Sequence, residues 1–322
     1  MDFIVSFDNK NLRLDVYAAQ TTGLTRSRVK ALIDGGAITL NGKTVKCGAI
    51  LKEGDRMRAE IPETPKPSEL KPENIPIKIV YEDGDIAVID KSRGLTVHPA
   101  GGNCSGTLVN ALLYHLNSLS GKTTQGDGGS VWFYVHENHT LPPSPCVIRP
   151  GIVHRLDKLT TGLMVVAKND AAHLSLSKQI AEKSAERIYR GIAEGVVKYD
   201  AGVIDQPLGR DPKDRKKITV RTGGRHAVTH WRVLKRYAQN TLMEFKLETG
   251  RTHQIRVHMK HFGHPLLGDR EYGFKKQRLD LPGQMLHAYK LSFNHPVTGE
   301  RLVFTAEPPE DFLKVAEKLK RE

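Results

Sequence analysis

Cysteine is scarce in this chain: Cys47, Cys104 and Cys146 are the only three in 322 residues, odd in number and far apart. Without a Cys-x-x-Cys pair they suggest neither a disulfide framework nor a thiolate zinc site. Long apolar runs are missing as well. No stretch reaches the ~18 consecutive apolar residues of a membrane-spanning helix. The N-terminus MDFIVSFDNK carries acids early and lacks an apolar core of signal-peptide length, so a cytoplasmic protein is expected. Acids are in deficit, 36 against 49 Lys and Arg, for a net charge of +13. An excess of that size points to a polyanionic partner. The 29 glycines and 17 prolines are dispersed, and 39% hydrophobic with 26% charged residues describes a folded chain, which excludes collagen-like and wholly disordered readings. The length suggests about two domains.

The positive charge is unevenly placed. Between Leu208 and Arg236 ten cations (Arg210, Lys213, Arg215, Lys216, Lys217, Arg221, Arg225, Arg232, Lys235, Arg236) meet only Asp211 and Asp214, so this segment carries +8 of the total.

Residues 11–61 read as a compact module. Leu12, Leu14, Val16 and Ala19, then Val29, Leu32 and Ile33, have the spacing of two short amphipathic helices parted by a turn at Gly23, with Thr25 or Ser27 as the second N-cap. Ala37–Leu40, the Asn41-Gly42 turn and Thr44-Val45 read as a hairpin, and Lys52–Ile61 supplies a closing strand. This pattern resembles the S4 RNA-binding domain along its whole length. The resemblance implies that Arg26, Arg28 and Lys30, at the start of the second helix, face structured RNA.

Residues 62–76, PETPKPSELKPENIP, hold five prolines and read as an extended linker. A second domain, 77–322, follows. Ile77–Tyr81 and Asp85–Asp90 read as strands joined at Asp83-Gly84, and Thr107–Leu119 as a helix. Residues 117–146 form a polar, Gly-rich insertion of a length typical of a lid or a disordered segment. Further strands are predicted at 147–153, 162–168, 186–196, 217–221, 225–236 and 240–248, and helices at 171–183, 252–262 and 309–320. The expected class is α+β: a mixed, largely antiparallel sheet with flanking helices, plus the small N-terminal α/β S4 domain.

One string stands out: Gly151-Ile152-Val153-His154-Arg155-Leu156-Asp157-Lys158-Leu159-Thr160-Thr161-Gly162-Leu163. It places Asp157 on a loop expected between two strands, a rigid mount for a reactive carboxylate. Read alone, an Asp beside Arg155 and Lys158 is an ordinary salt bridge. As a whole the string closely resembles the catalytic motif of the RluA-type pseudouridine synthases, which implies that Asp157 is the essential carboxylate. Glu186-Arg187-Ile188-Tyr189-Arg190-Gly191 resembles the family segment supplying the active-site tyrosine, here Tyr189. Leu247–His258, continued by Gly263-His264-Pro265 and Gly268-Asp269, resembles the third motif. By that resemblance Arg256 pairs with Asp157, Val257 helps wall the base pocket, and His154, Arg155, Arg251 and His253 border the substrate. Asp90–Pro99 also matches, with Ser92 where the family usually has proline, whereas Gly101-Gly102 reads as a surface turn. The histidines at 253, 258, 261 and 264 lack zinc-site spacing, and no metal is expected.

The whole pattern resembles that of S4-bearing synthases of large-subunit ribosomal RNA. The implied reaction breaks the C1′–N1 bond of a uridine, turns the base and rejoins it through C5. It asks for no cofactor, only for a carboxylate, a cation beside it and a pocket for an extruded base. The alternative is a non-catalytic RNA-binding or ribosome-assembly factor in which Asp157 and Arg256 form a structural pair. A glycosidase-like hydrolase would need a second carboxylate that the motif does not offer.

Overall fold

The computed structural model describes residues 1–22, 26–60, 71–98, 105–116 and 151–321. Most of the 62–76 linker, the whole 117–146 insertion, the Gly101-Gly102 turn and the Thr25 cap lie outside these residues. The chain divides into two units: the described residues up to 60 belong to the first and those from 71 onward to the second.

The first unit contains β1 (Asp2–Ile4), α1 (Leu14–Thr22), α2 (Arg26–Asp34), β2 (Ile38–Leu40) and β3 (Arg56–Ala59). Its antiparallel sheet has the order β1-β3-β2. Leu14, Tyr17 and Ala18 of α1 and Val29 and Ile33 of α2 pack on Ile38, Leu51 and Met57. The buried face of α1 therefore differs from the predicted one. Leu12 lies before the helix and Val16 and Ala19 are half-buried, because the 3.6-residue repeat starts at Leu14. Asn41 and Gly42 do turn with positive φ, 53° and 75°, yet only the bridge Leu40–Lys43 follows, and Thr44-Val45 is not a strand. The partner of β2 is β3, whose Met57 and Ala59 enter the same core.

The second unit runs through β4 (Lys78–Glu82), β5 (Ile86–Lys91), α3 (Leu108–His115), β6 (Thr161–Ala167), α4 (Asp170–Ala181), β7 (Glu186–Glu194), β8 (Ala201–Asp205), β9 (Leu208–Arg210), β10 (Ile218–Val220), β11 (Val228–Arg236), β12 (Asn240–Leu247), α5 (Gln254–His261), β13 (Leu286–Asn294), β14 (Arg301–Thr305) and α6 (Glu310–Lys320). The large sheet has the order β4-β5-β6-β13-β7-β12-β11-β8, with β14 also on β13. The β13–β6 pairing is parallel, and the sheet's other ladders among the described residues are antiparallel. A mixed, largely antiparallel sheet with flanking helices is thus the observed class.

Both faces of the sheet's middle are covered. Ala87 and Ile89 of β5 join α3 and α5 side chains in one core, while Ile86 and Val88 join α4 side chains in another. Strands buried on two sides read as continuous apolar runs, which is why β5 and β6 were visible in the sequence. Strands β8, β9, β13 and β14 are not predicted from the sequence. In β8 and β14 half or more of the residues are exposed, and β13 mixes His, Lys and Ser into its run. The predicted strand at 147–153 is reduced, among its described residues, to one bridge between Ile152 and Val166. Helix α3 ends at His115, short of the predicted Leu119.

The parallel crossing of β6 and β13 needs a glycine. Gly162 has φ +108°, and a Cβ there would lie 2.3 Å from the Ala288 carbonyl oxygen. This close approach sets the strand that leads out of the Asp157 loop.

Candidate active site

Over its described residues, from Gly151 onward, the Asp157 loop folds back along β6. The Ala167 N–H donates to Gly151 O at 2.9 Å, and the Val165 N–H donates to His154 Nε2 at 3.0 Å. The turn closes as the Thr160 N–H donates to Asp157 O at 3.1 Å. From the end of β5, buried Lys91 reaches under the loop. Its Nζ donates to the carbonyls of Ser92 (2.9 Å), Leu95 (3.0 Å) and Lys158 (3.2 Å). Burial pulls this ammonium down to about 7, against the opposing influence of Asp157. Arg93 Nη1 holds the far side through Leu159 O (2.7 Å) and Gln284 O (3.0 Å). Both residues lie within the Asp90–Pro99 stretch, and their bracing role depends on contacts that the sequence does not show.

Arg256 comes to this loop from the first turns of α5. The approach to the helix is pinned by Gln254, whose Oε1 accepts from Thr249 Oγ1 and the Arg251 N–H. Its Nε2 donates to Val228 O and Thr229 Oγ1. His253 enters the helix in the left-handed region, φ 55°, a conformation uncommon for a residue other than glycine and found at functional sites. Buried Arg256 donates from Nε and Nη2 to the two oxygens of Asp269 (2.7 and 2.9 Å), from Nη2 to Glu271 (3.1 Å) and from Nη1 to Asp157 Oδ2 (3.1 Å). Burial opposes the guanidinium charge, but Asp269 and then Asp157 outweigh it and raise its pKa. Burial likewise works against the Asp269 carboxylate, yet Arg256 and two backbone N–H groups hold its pKa below the ordinary value. His253 Nε2 lies 3.8 Å from Asp157 Oδ1. Its Nδ1 is 2.7 Å from the Tyr272 hydroxyl, which accepts from the Ile218 N–H.

Asp157 and Arg256 stand in a cleft of about 600 Å³ together with Tyr189, His154, Arg155, Arg251 and His253, a volume suited to a small ligand or an extruded nucleotide. Tyr189 projects from β7, 6% exposed. Burial pushes its phenol above the ordinary value, against the pull of Arg187, so the hydroxyl stays protonated near neutrality. His154 falls to about 3 through burial and the Arg187 charge, and is neutral. Arg155 and Arg251 are exposed at the rim, Arg251 Nε donating to His226 O at 3.0 Å. Val257 does not line the cleft. Two positions on from Ile255, which does, it points to another side of the helix and packs with Leu208, Ala227 and Tyr272. In the first unit Lys30 is exposed on α2, while the side chains of Arg26 and Arg28 lie outside the described residues.

His258 and His264 are engaged elsewhere, with Thr229 Oγ1 and Gln206 O, and with Glu194 O, respectively. Among the described residues, metal-ligand spacing occurs at Asp83, Asp85 and His295, none of which lines the cleft. There Asp83 already accepts from Tyr81, His295 and two backbone N–H groups. No helix among the described residues is long and apolar enough to cross a membrane.

A carboxylate, an arginine and a tyrosine gathered in one cleft have the composition of an enzyme active site. A family model described as RNA pseudouridylate synthase matches residues 85–261, and one described as S4 domain matches residues 12–57. A protein of Aquifex aeolicus described as an uncharacterized RNA pseudouridine synthase is 48% identical over 314 residues, 94% of this chain and 92% of that one. The ribosomal large subunit pseudouridine synthase D of Zymomonas mobilis is 43% identical over 93% of this chain and 91% of its own. In fold, the solved structure of human RNA pseudouridylate synthase domain containing 1 is similar, with TM-score 0.55 and 24% identity over 74% of this chain and 85% of that one. The chain belongs to the RNA pseudouridylate synthase family: it is an enzyme that isomerises uridine to pseudouridine in RNA and carries an S4 domain.

Proposed function

We propose that this enzyme modifies large-subunit ribosomal RNA in the cytoplasm and that Asp157 is the carboxylate acting on the extruded uridine. The choice of RNA is supported by relatives named as ribosomal large subunit synthases. In this reading an S4 domain at 11–61 and a linker at 62–76 precede a catalytic domain at 77–322. Arg26, Arg28 and Lys30 grip structured RNA through phosphate and shape contacts.

The observation that carries the assignment is the 3.1 Å bond from Arg256 Nη1 to Asp157 Oδ2 in a cleft that also holds Tyr189. Arg256 orients the carboxylate. Tyr189 stacks on the base and presents a neutral phenol, while His154, Arg155, Arg251 and His253 border the nucleotide. Two routes suit a single carboxylate: attack at C1′ or C6, or removal of the C2′ proton to give a glycal. In both, the C1′–N1 bond breaks, C1′ joins C5, the C5 hydrogen leaves to solvent and N1 takes up a proton, and on the glycal route the proton removed from C2′ is returned there. Extrusion costs a few kcal/mol, so loops and weakly paired uridines are preferred.

The test is release of tritium from RNA labelled at uridine C5. Asp157→Asn is expected to cut release by more than about 10³-fold, equivalent to ~4 kcal/mol of barrier, with RNA affinity and melting temperature kept. A lowered melting temperature in Asp157→Asn, with no tritium release by the wild type, would favour a structural pair instead.

A further inference from the structure

Arg187 and Tyr189 sit two residues apart on β7, so their side chains leave the same face of the strand, and both border the cleft. Arg187 is 6% exposed. Among the described residues no carboxylate pairs with it, and its Nε is shut off from solvent without a hydrogen-bond partner. Neighbouring cations are engaged. Arg256 has three carboxylates, Arg93 has Asp311, and Lys183, also at the cleft, has Glu248 at 2.8 Å. A buried guanidinium without a counter-charge is unfavourable and is retained where a ligand brings the missing anion.

Room for the group is provided by Gly250, where a Cβ would lie 2.7 Å from Arg187 Nη1. The adjoining titratable groups do not supply the anion, because His154 and Tyr189 are both held neutral. RNA brings a phosphate with every nucleotide, and a planar guanidinium fork matches two phosphate oxygens. We propose that Arg187 is a substrate-binding residue that holds a phosphate adjoining the uridine whose base stacks on Tyr189. The inference rests on the cleft being the uridine pocket.

The test uses the full chain and synthetic RNA with a single, C5-labelled uridine, its flanking phosphates replaced one at a time by neutral methylphosphonate. Arg187→Met is expected to raise KM and the RNA dissociation constant tenfold or more, and Arg187→Lys to recover part of the loss. Gly250→Ala, which crowds Nη1 but keeps the charge, should shift KM in the same direction. One methylphosphonate should weaken the wild type by the same factor as Arg187→Met and leave that variant unaffected. The melting temperature of Arg187→Met should stay level or rise, since an unpaired charge has been removed. Equal methylphosphonate effects on both proteins, or a fall in melting temperature with KM and affinity unchanged, would overturn the proposal. The affinity arm needs no turnover, so an absence of isomerisation would count against the uridine reading and be told apart from failure of the Arg187 contact.

Discussion

Arg256 faces Asp157, Asp269 and Glu271 together, and the division of labour among its nitrogens explains how one side chain serves both fold and site. Buried Asp269 takes Nε and Nη2 in a bidentate grip, which leaves Nη1 aimed at Asp157. Replacing Asp269 by Asn removes that grip. Breaking a buried pair costs about 3–5 kcal/mol, and a loosened guanidinium should lower turnover by about 10–100-fold, as read by urea unfolding and tritium release. The acid limb gives a second readout. Because the folded pKa of Asp269 lies below 3.8, its stabilisation is complete above that value and is lost as pH falls through the lower folded value. Melting temperature measured across about pH 2–6 should therefore decline less steeply in Asp269→Asn than in the wild type.

At the scale of elements, the +8 segment separates into two parts with different duties. On β11, Arg232 pairs with Glu244 at 2.7 Å, and Arg236 pairs with Asp200 at 2.7 Å while capping the carbonyls of residues 197–199. The β9–β10 hairpin and its flanks instead leave Arg210, Lys213, Arg215, Lys216, Arg221 and Arg225 exposed. Val257, Tyr272 and Leu208 pack with the hairpin's Ile218 and Val220, tying it to the helix that carries Arg256. Replacing Lys213, Arg215 and Lys216 with Ala should lower the slope of log affinity against log salt by about 2–3. The melting temperature should be unchanged. Replacing Arg232 should do the reverse, leaving the slope alone while slightly lowering stability. Net charge read from the chain identified the segment but not this division, because pairing depends on which strands become neighbours.

At the scale of the whole molecule, the two units have separate apolar cores. Leu14→Ala, at a fully buried position of the first, should cost about 2–5 kcal/mol. Calorimetry should show one transition moving and another staying, with RNA affinity reduced and turnover on saturating RNA preserved. The helices α4, α5 and α6 and the doubly covered strands were legible because periodicity and turn chemistry are written in adjacent residues. The same local order carried the motifs holding Asp157, Tyr189 and Arg256, and so the class of reaction. Strands β8, β9, β13 and β14 were not legible, since their stability comes from partners in other segments of the chain. Tertiary structure alone decided that Lys91 and Arg93 brace the Asp157 loop, that Asp269 backs Arg256, that Val257 supports a hairpin instead of a pocket, and that Arg187 is buried without an anion. The physical reason is that each of these depends on groups from separate segments arriving within hydrogen-bonding or packing distance. Asp157 and Arg256 themselves lie 99 residues apart, and no local pattern encodes which third group will stand beside them.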